Sequence, residues 1–269
     1  MKQTFKKLMA VIMAITMILG ISPFFTENVE AANDQNCSVI FINETPVDTF
    51  GVPNDLNKYV KEIVGNSSKA VTKIYNIRSY HGEFVKAWNS MPDTQNVVVI
   101  CAHGYPYGML GEDPNPLVAP IISTSSLKDL NWKNISKIVL LGCNTGHYDY
   151  RTENLARAMA DKFRCTVIAS DGTVFASGIY YGLYRFRPIG DPEWVYWGNQ
   201  VGSSRTKYLT GSPAQYSKCY GWLAYIPKEL SNNYQGKLYR LDDVKGKDSS
   251  VYDILHNYSF GSKTALSVR

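Results

Sequence analysis

Three short runs of Val, Ile and Leu constrain the fold of this 269-residue chain most strongly. They occupy residues 97–102, 137–141 and 166–170, where apolar residues follow one another without alternating with polar ones. Runs of this kind are typical of strands buried on both faces, as in a parallel sheet covered by helices. The sequence therefore predicts an α/β fold, a three-layer α/β/α sandwich built on a mostly parallel sheet.

Weaker patterns extend this sheet and place helices between its strands. Further strands are predicted at residues 37–43, 71–77 and 221–226. The clearest predicted helix carries an apolar residue at every fourth position, and the helices together are placed at residues 55–64, 82–89, 152–163 and 251–257. We interpret residues 32–227 as one α/β domain, followed by a C-terminal extension, residues 228–269, that either packs on the domain or is flexible.

The N-terminal residues 1–31 have the pattern of a secretory signal peptide. Lysines at positions 2, 6 and 7 precede an apolar run over residues 8–21, which is shorter than the about 20 residues that a membrane-spanning helix needs. Small residues precede a cleavage site at Ala31 or Ala32, so we expect a secreted or extracellular protein without membrane contact. The alternative is an uncleaved N-terminal anchor.

The charge balance argues against nucleic acid as a partner. The chain has 28 Lys and Arg against 23 Asp and Glu, a formal net charge of +5, and its basic residues form no cluster beyond the N-terminus. An apolar content of 45% is ordinary for a globular protein and excludes disorder along the whole chain. We expect a monomer.

Five cysteines limit the redox and metal chemistry that is open to the chain: Cys37, Cys101, Cys143, Cys165 and Cys219. An odd number in an exported protein leaves at least one thiol outside any disulfide. No two of them form a Cys-x-x-Cys pair, and their spacings match no zinc module. Bridges between Cys37 and Cys165, or between Cys165 and Cys219, both stay open at this point.

Two of the predicted strands end in residues that carry chemistry. The run at 97–102 is followed by His103 and Gly104, and the run at 137–141 is followed by Gly142 and Cys143. Ligands of parallel α/β sheets bind beyond the carboxyl ends of the strands, so neighbouring strands would bring His103 and Cys143 to one edge. An imidazole beside a thiol can take its proton and create a nucleophile, and the glycines would free N–H groups to hold an oxyanion.

These two segments, VVVICAHG at 97–104 and KIVLLGCNTG at 137–146, resemble the caspase-like cysteine peptidases, the group of caspases, legumain, gingipain and clostripain. The resemblance implies that Cys143 is the nucleophile and His103 the general base and acid. It also implies that the N–H groups of Gly104 and Cys143 form the oxyanion hole. The implied reaction is hydrolysis of a protein or peptide substrate through a thioacyl-enzyme, without a metal or an organic cofactor.

The resemblance further implies that the segment after the strand at 166–170 lines the pocket for the substrate side chain that precedes the cleaved bond. Ser170 and Asp171 lie there, and an Asp in that pocket would select Arg or Lys. Asp171 and Gly172 are equally an ordinary turn dipeptide. Glu112 or Asp113 could orient His103, and the sequence does not choose between them.

Several alternatives compete with the peptidase hypothesis. Cys143 could be a small buried core residue, or it could bind zinc together with His103 and His147. An α/β-hydrolase-type esterase needs its nucleophile midway between two glycines, and Asn144 occupies that position here. A non-catalytic secreted module on a degenerate peptidase fold would instead bind partners through the aromatic residues that are frequent over 175–240.

Overall fold

The computed structural model of the chain describes residues 37–42, 72–78, 80–110, 120–177, 185–189, 220–231, 234–244 and 251–268. The predicted signal peptide and the helix predicted at 55–64 lie outside the described residues, as do Glu112, Asp113 and Cys219. Among the described residues, no helix has the length and apolar character needed to cross a membrane.

The described chain alternates strands and helices. In chain order the elements are β1 (Cys37–Ile42), β2 (Thr72–Ile77), α1 (His81–Ser90), β3 (Thr94–Cys101), β4 (His103–Tyr105), β5 (Gly108–Leu110), β6 (Ile122–Ser123), β7 (Asn134–Leu141), α2 (Leu155–Phe163), β8 (Thr166–Asp171), β9 (Thr173–Ser177), β10 (Arg185–Ile189), β11 (Gly221–Ile226), α3 (Lys228–Ser231), β12 (Lys237–Leu241), α4 (Val251–Phe260) and β13 (Lys263–Ala265).

Eight strands form the main sheet, in the order β2-β1-β3-β7-β8-β11-β12-β13. The first five run parallel to one another, and β11, β12 and β13 then pair antiparallel. The predicted α/β fold with a mostly parallel sheet is therefore confirmed. The register between β3 and β7 pairs Cys101 with Leu141, so the two strands end side by side.

Each face of the sheet is covered by helices, which explains the continuous apolar runs. Alternate residues of one strand, such as Val98 and Val99, belong to separate cores on opposite faces. One core is completed by apolar side chains of α1 and α2, and the other by side chains of α4. Because both faces of a central strand are buried in the middle of the sheet, successive residues there are apolar instead of alternating with polar ones.

Two small antiparallel sheets lie outside the main sheet. β4, β5 and β6 form a three-stranded sheet in which the turn between β4 and β5 is Pro106-Tyr107. β9 and β10 form a two-stranded ribbon that follows directly from β8. Both β4 and β9 start just beyond a carboxyl end of the main sheet, so each small sheet begins at the edge at which His103 and Cys143 lie.

Candidate functional site

The carboxyl ends of β3 and β7 bring the two predicted catalytic residues to one place. The amide of Ala102 donates to the Leu141 carbonyl at 3.4 Å, which continues the pairing of the strands by one residue. His103 lies just after β3 and Cys143 just after β7, and these two strands are neighbours in the sheet. The juxtaposition expected for ends of adjacent parallel strands is therefore present at the level of the backbone.

Gly104 packs its backbone directly against that of Cys143. A Cβ atom placed on Gly104 would lie 2.6 Å from the Cys143 carbonyl oxygen and 2.9 Å from its nitrogen. Distances this short exclude a side chain, so glycine is required by close approach rather than by an unusual φ. The segment that carries His103 is thus held in contact with the segment that carries Cys143.

The Cys143 sulfur lies beneath the start of β9. The residue is 8% exposed, and the backbone N–H of Val174 donates to Sγ at 3.4 Å. The Val174 carbonyl oxygen is 3.9 Å from the same sulfur. The N–H favours negative charge on the sulfur, as a nucleophilic thiolate requires, whereas the carbonyl accepts from the thiol in its neutral form.

The His103 imidazole is partly buried on β4, and this burial controls its protonation. Loss of hydration lowers the pKa of His103 below the ordinary histidine value of 6.5. The ring is therefore neutral at neutral pH. A neutral imidazole can accept the proton of a thiol, which is the role that the sequence predicts for this residue.

The N–H of Gly104 points out of the small sheet that β4 forms. Met109, its partner on β5, turns its carbonyl toward β6, where it accepts from the Ile121 amide at 2.9 Å. In antiparallel pairing such residues alternate between sides, so Gly104 opposite Met109 directs its own N–H away from β5. This orientation suits an oxyanion donor, and the oxyanion role of Gly104 and Cys143 stays a prediction.

Asp171 is buried at the end of β8, where its carboxylate accepts hydrogen bonds from other groups of the protein. Its oxygens accept from the amides of Tyr148 at 3.1 Å and Tyr220 at 2.8 Å, and His147 Nδ1 lies 3.7 Å away. Burial raises the pKa of Asp171 above the ordinary value. These contacts tie the loop after Cys143 to the start of β11. A direct role for Asp171 in a substrate pocket stays a prediction.

Ser170 is fully buried, and its backbone helps to hold the turn that follows Cys143, residues 144–146. Its carbonyl accepts from the Gly146 amide at 2.9 Å, and the Asn144 amide donates to the Gly172 carbonyl at 2.8 Å. The end of β8 therefore holds both sides of the turn that follows Cys143. The predicted place of Ser170 in a substrate pocket is also left as a prediction.

His147 caps the short 3₁₀ helix Tyr148–Tyr150 rather than completing a metal site. Its Nδ1 accepts from the Asp149 amide at 3.1 Å, and burial lowers the pKa of His147. In the part of the chain that the structure describes, no three His, Cys, Asp or Glu side chains are grouped to hold a metal ion.

Two further described thiols, Cys101 at the end of β3 and Cys165 just before β8, are buried in the protein. Burial raises the pKa of Cys101 and that of Cys165, the latter to about 12. Cys165 and Cys37 do not form a disulfide with each other, and a bridge to Cys219 involves a residue outside the described part of the chain. Thiols this hard to ionise are poor nucleophiles at neutral pH.

Sequence reasoning missed two residues of the site, Val174 and Asn144. Val174 reaches the sulfur from 31 residues further along the chain, and no local pattern signals that contact. Asn144 adopts a left-handed backbone with a φ of 58°. The run Gly-Cys-Asn-Thr-Gly did carry a signal, because Asn is one of the few residues that tolerate this conformation.

Comparison with known proteins gives a partial match without a function. The model of a family described as a domain of unknown function (DUF8616) matches residues 73–190. This span runs from β2 to just past β10 and includes both His103 and Cys143. No curated protein matches the chain.

Proposed function

We propose that this protein is an exported cysteine peptidase in which Cys143 and His103 hydrolyse peptide bonds. The observation that carries the proposal is the backbone contact between Gly104 and Cys143 at the adjoining ends of two parallel strands. This contact fixes the imidazole-bearing and thiol-bearing segments against each other. Productive geometry of two catalytic groups depends on such rigid support.

The proposed reaction uses only groups of this edge of the sheet. His103 takes the Sγ proton while the sulfur bonds to the substrate carbonyl carbon, and the N–H groups of Gly104 and Cys143 stabilise the oxyanion. His103 then protonates the leaving amine, the C–N bond breaks and a thioester remains. A water molecule, deprotonated by His103, attacks the thioester carbon and regenerates the thiol and a free carboxylate.

The electrostatics support these roles. The lowered pKa of His103 keeps the ring in its proton-accepting form at neutral pH, and the Val174 N–H is placed to stabilise charge on sulfur. The order of elements agrees with the caspase-like resemblance, because α2 follows Cys143 and β8 then ends at Asp171. The proposed partner is a protein or peptide substrate, and the proposed location is extracellular.

One observation favours a second candidate, a non-catalytic binding module on the same fold. The Cys143 sulfur is covered by Val174 and only 8% of the residue is exposed. A catalytic thiol must be reached by a substrate carbonyl, whereas a binding module needs no access to that sulfur. Chemical reactivity of Cys143 therefore separates the two functions.

The test uses the mature chain and the variants Cys143→Ala, His103→Ala and Cys165→Ala. Wild type should cleave members of a fluorogenic peptide library that varies the residue before the scissile bond. Loss of either dyad member should lower kcat/KM by about 10³-fold or more. Cys165→Ala, which removes a buried thiol elsewhere, should keep the activity of the wild type.

Iodoacetamide labelling, followed by mass spectrometry, gives the second measurement. We expect rapid modification of Cys143 that slows in His103→Ala, while Cys101 and Cys165 stay unmodified. Full turnover by Cys143→Ala would show that the proposed mechanism is wrong. No cleavage of any peptide, together with an unreactive Cys143, would favour the binding module.

A further inference from the structure

Asn144, next to the proposed nucleophile, has two unfavourable features that the fold does not explain together. Its φ of 58° lies in the left-handed region that most side chains avoid. It is only 1% exposed, and none of the described residues donates a hydrogen bond to its Oδ1. The left-handed backbone is uncommon even though Asn tolerates it, and an unpaired buried acceptor opposes folding; such features concentrate at functional sites.

The backbone of Asn144 accounts for the turn but not for the side chain. Its amide donates to the Gly172 carbonyl at 2.8 Å, and its carbonyl accepts from the His147 amide at 3.0 Å. Glycine would adopt the same φ with less strain and would leave no acceptor buried without a donor. The carboxamide of Asn144 is therefore a liability for stability, and its use must lie elsewhere.

The same short segment covers both Asn144 and the nucleophile. The Gly172 carbonyl accepts the Asn144 amide, and two residues later the Val174 N–H contacts the Cys143 sulfur. Gly172 and Val174 therefore contact both the nucleophile and its neighbour, so a peptide bound at the sulfur lies close to residue 144. Its main chain presents N–H donors on both sides of the carbonyl that the sulfur attacks.

We propose that the Asn144 Oδ1 positions the substrate by accepting a hydrogen bond from a main-chain N–H of the bound peptide. The inference rests on the proposed peptidase function and adds a substrate-positioning residue to the dyad. A neutral carboxamide oxygen is matched to a neutral N–H donor, since an anion would be repelled and a cation is better served by a carboxylate.

The decisive variant is Asn144→Gly, which allows the left-handed backbone and removes the side chain with its carboxamide. We expect kcat/KM for peptides to fall about 10-fold, mainly through a higher KM, because the lost bond is made in both the bound and the transition states. The thermal midpoint should stay unchanged or rise, because a buried unpaired acceptor is removed. Labelling of Cys143 by N-ethylmaleimide, which has no N–H, should keep its rate.

Arg164→Gly is the matched control. Arg164 is the other described non-glycine residue with a positive φ, 52°, and it lies exposed at the end of α2. The same change of residue there should raise the thermal midpoint and leave kcat/KM as in the wild type. A loss of activity in both variants would assign the effect to glycine itself and overturn the inference.

Peptides that are N-methylated at successive main-chain positions identify the donor. At the position that pairs with Oδ1, wild type should lose about 10-fold in kcat/KM and Asn144→Gly should lose no more. Wild-type kinetics in Asn144→Gly, combined with an inactive Cys143→Ala, would overturn this inference alone. An equal fall in peptide cleavage and maleimide labelling would also overturn it, because Asn144 would then act on Cys143. Full activity in Cys143→Ala would instead overturn the proposed function.

Discussion

His103 shows how burial of a single residue sets the conditions for chemistry. A histidine in water is half protonated near pH 6.5, and burial shifts the pKa of this ring below that value. The shift disfavours the imidazolium in the folded state, and it widens the pH range in which the ring can act as a base.

The pH profile of the enzyme should reflect this shift. We expect the midpoint of the acidic limb of the kcat/KM profile to lie below pH 6.5, because the pKa of His103 in the free enzyme governs that limb. A limb centred above the ordinary histidine value would contradict the assignment of His103 as the base.

The free energy of unfolding should also depend on pH through the lowered pKa of His103. The folded pKa of His103 is below its unfolded value, so its contribution is complete above the unfolded pKa and is lost as pH falls through the folded one. His103→Gln should therefore flatten the loss of unfolding free energy over that acidic interval, measured by denaturant titration at several pH values. An unchanged slope would show that the burial of His103 carries no such linkage.

At the scale of single residues, the sequence could predict the candidate catalytic side chains but not the residues that pack around them. His103 and Cys143 were found because each follows an apolar run, a pattern local to a few residues. The contact of Val174 with the sulfur and the environment of Asn144 depend on how β8 leads into β9, which is set by tertiary packing. Residues that make contacts with distant parts of the chain produce no recognisable pattern in the residues next to them in the sequence.

The segments that carry His103 and Cys143 can approach each other closely because Gly104 has no side chain to separate them. Gly104→Ala would place a Cβ 2.6 Å from the Cys143 carbonyl oxygen and 2.7 Å from Thr145 Cγ2. We expect a loss of about 1–3 kcal/mol in unfolding free energy. Activity should fall about 10²-fold, because the two catalytic segments are pushed apart.

Gly82→Ala is the control for that variant. Gly82 lies in α1, and a Cβ there would meet nothing within 4 Å. Because alanine is the better helix former, this variant should gain about 0.5 kcal/mol and keep full activity. Equal behaviour of the two variants in thermal unfolding and peptide hydrolysis would argue against the close approach at Gly104.

Arg157 fastens α2 to the antiparallel side of the sheet. Its guanidinium donates to the Ile226 carbonyl at 2.8 Å and the Lys237 carbonyl at 3.2 Å, and the residue is 2% exposed. Arg157→Met leaves both carbonyls without these donors and should cost about 3 kcal/mol. The exposed Arg164→Met should change stability by less than about 0.5 kcal/mol. Urea unfolding of both variants gives the comparison, and similar midpoints would contradict the structural role of Arg157.

Six of the eight strands of the main sheet and three of the four described helices could be predicted from apolar patterning, whereas their limits and the remaining strands could not. α2 begins at Leu155 because the Asn154 side chain caps it, three residues after the predicted start. β3 begins at Thr94, earlier than predicted, because polar residues at its start pair with the start of β7. β12 and β13 lack a continuous buried apolar run, and they are strands because β12 pairs with β11 and β13 pairs with β12.

The sheet as a whole should differ in stability from its centre to its C-terminal edge. β3, β7 and β8 have neighbours on both sides and buried faces, whereas β13 has a neighbour only in β12 and is exposed along its length. Amide hydrogen exchange should therefore be slowest in the three central strands and fastest in β13. Protection of β13 equal to that of β3 would contradict this gradient.

The junction at Asp171 also makes the chain modular. β8 and β11 are neighbours in the sheet although 50 residues separate Asp171 from Gly221, and the Tyr220 amide is fastened to the Asp171 carboxylate. The two ends of this stretch therefore meet at one point of the sheet. Because the entropy of closing a loop grows slowly with its length, a change in the length of the stretch beyond Val174 should cost the sheet little free energy. The main sheet can thus tolerate different lengths of chain between these two strands.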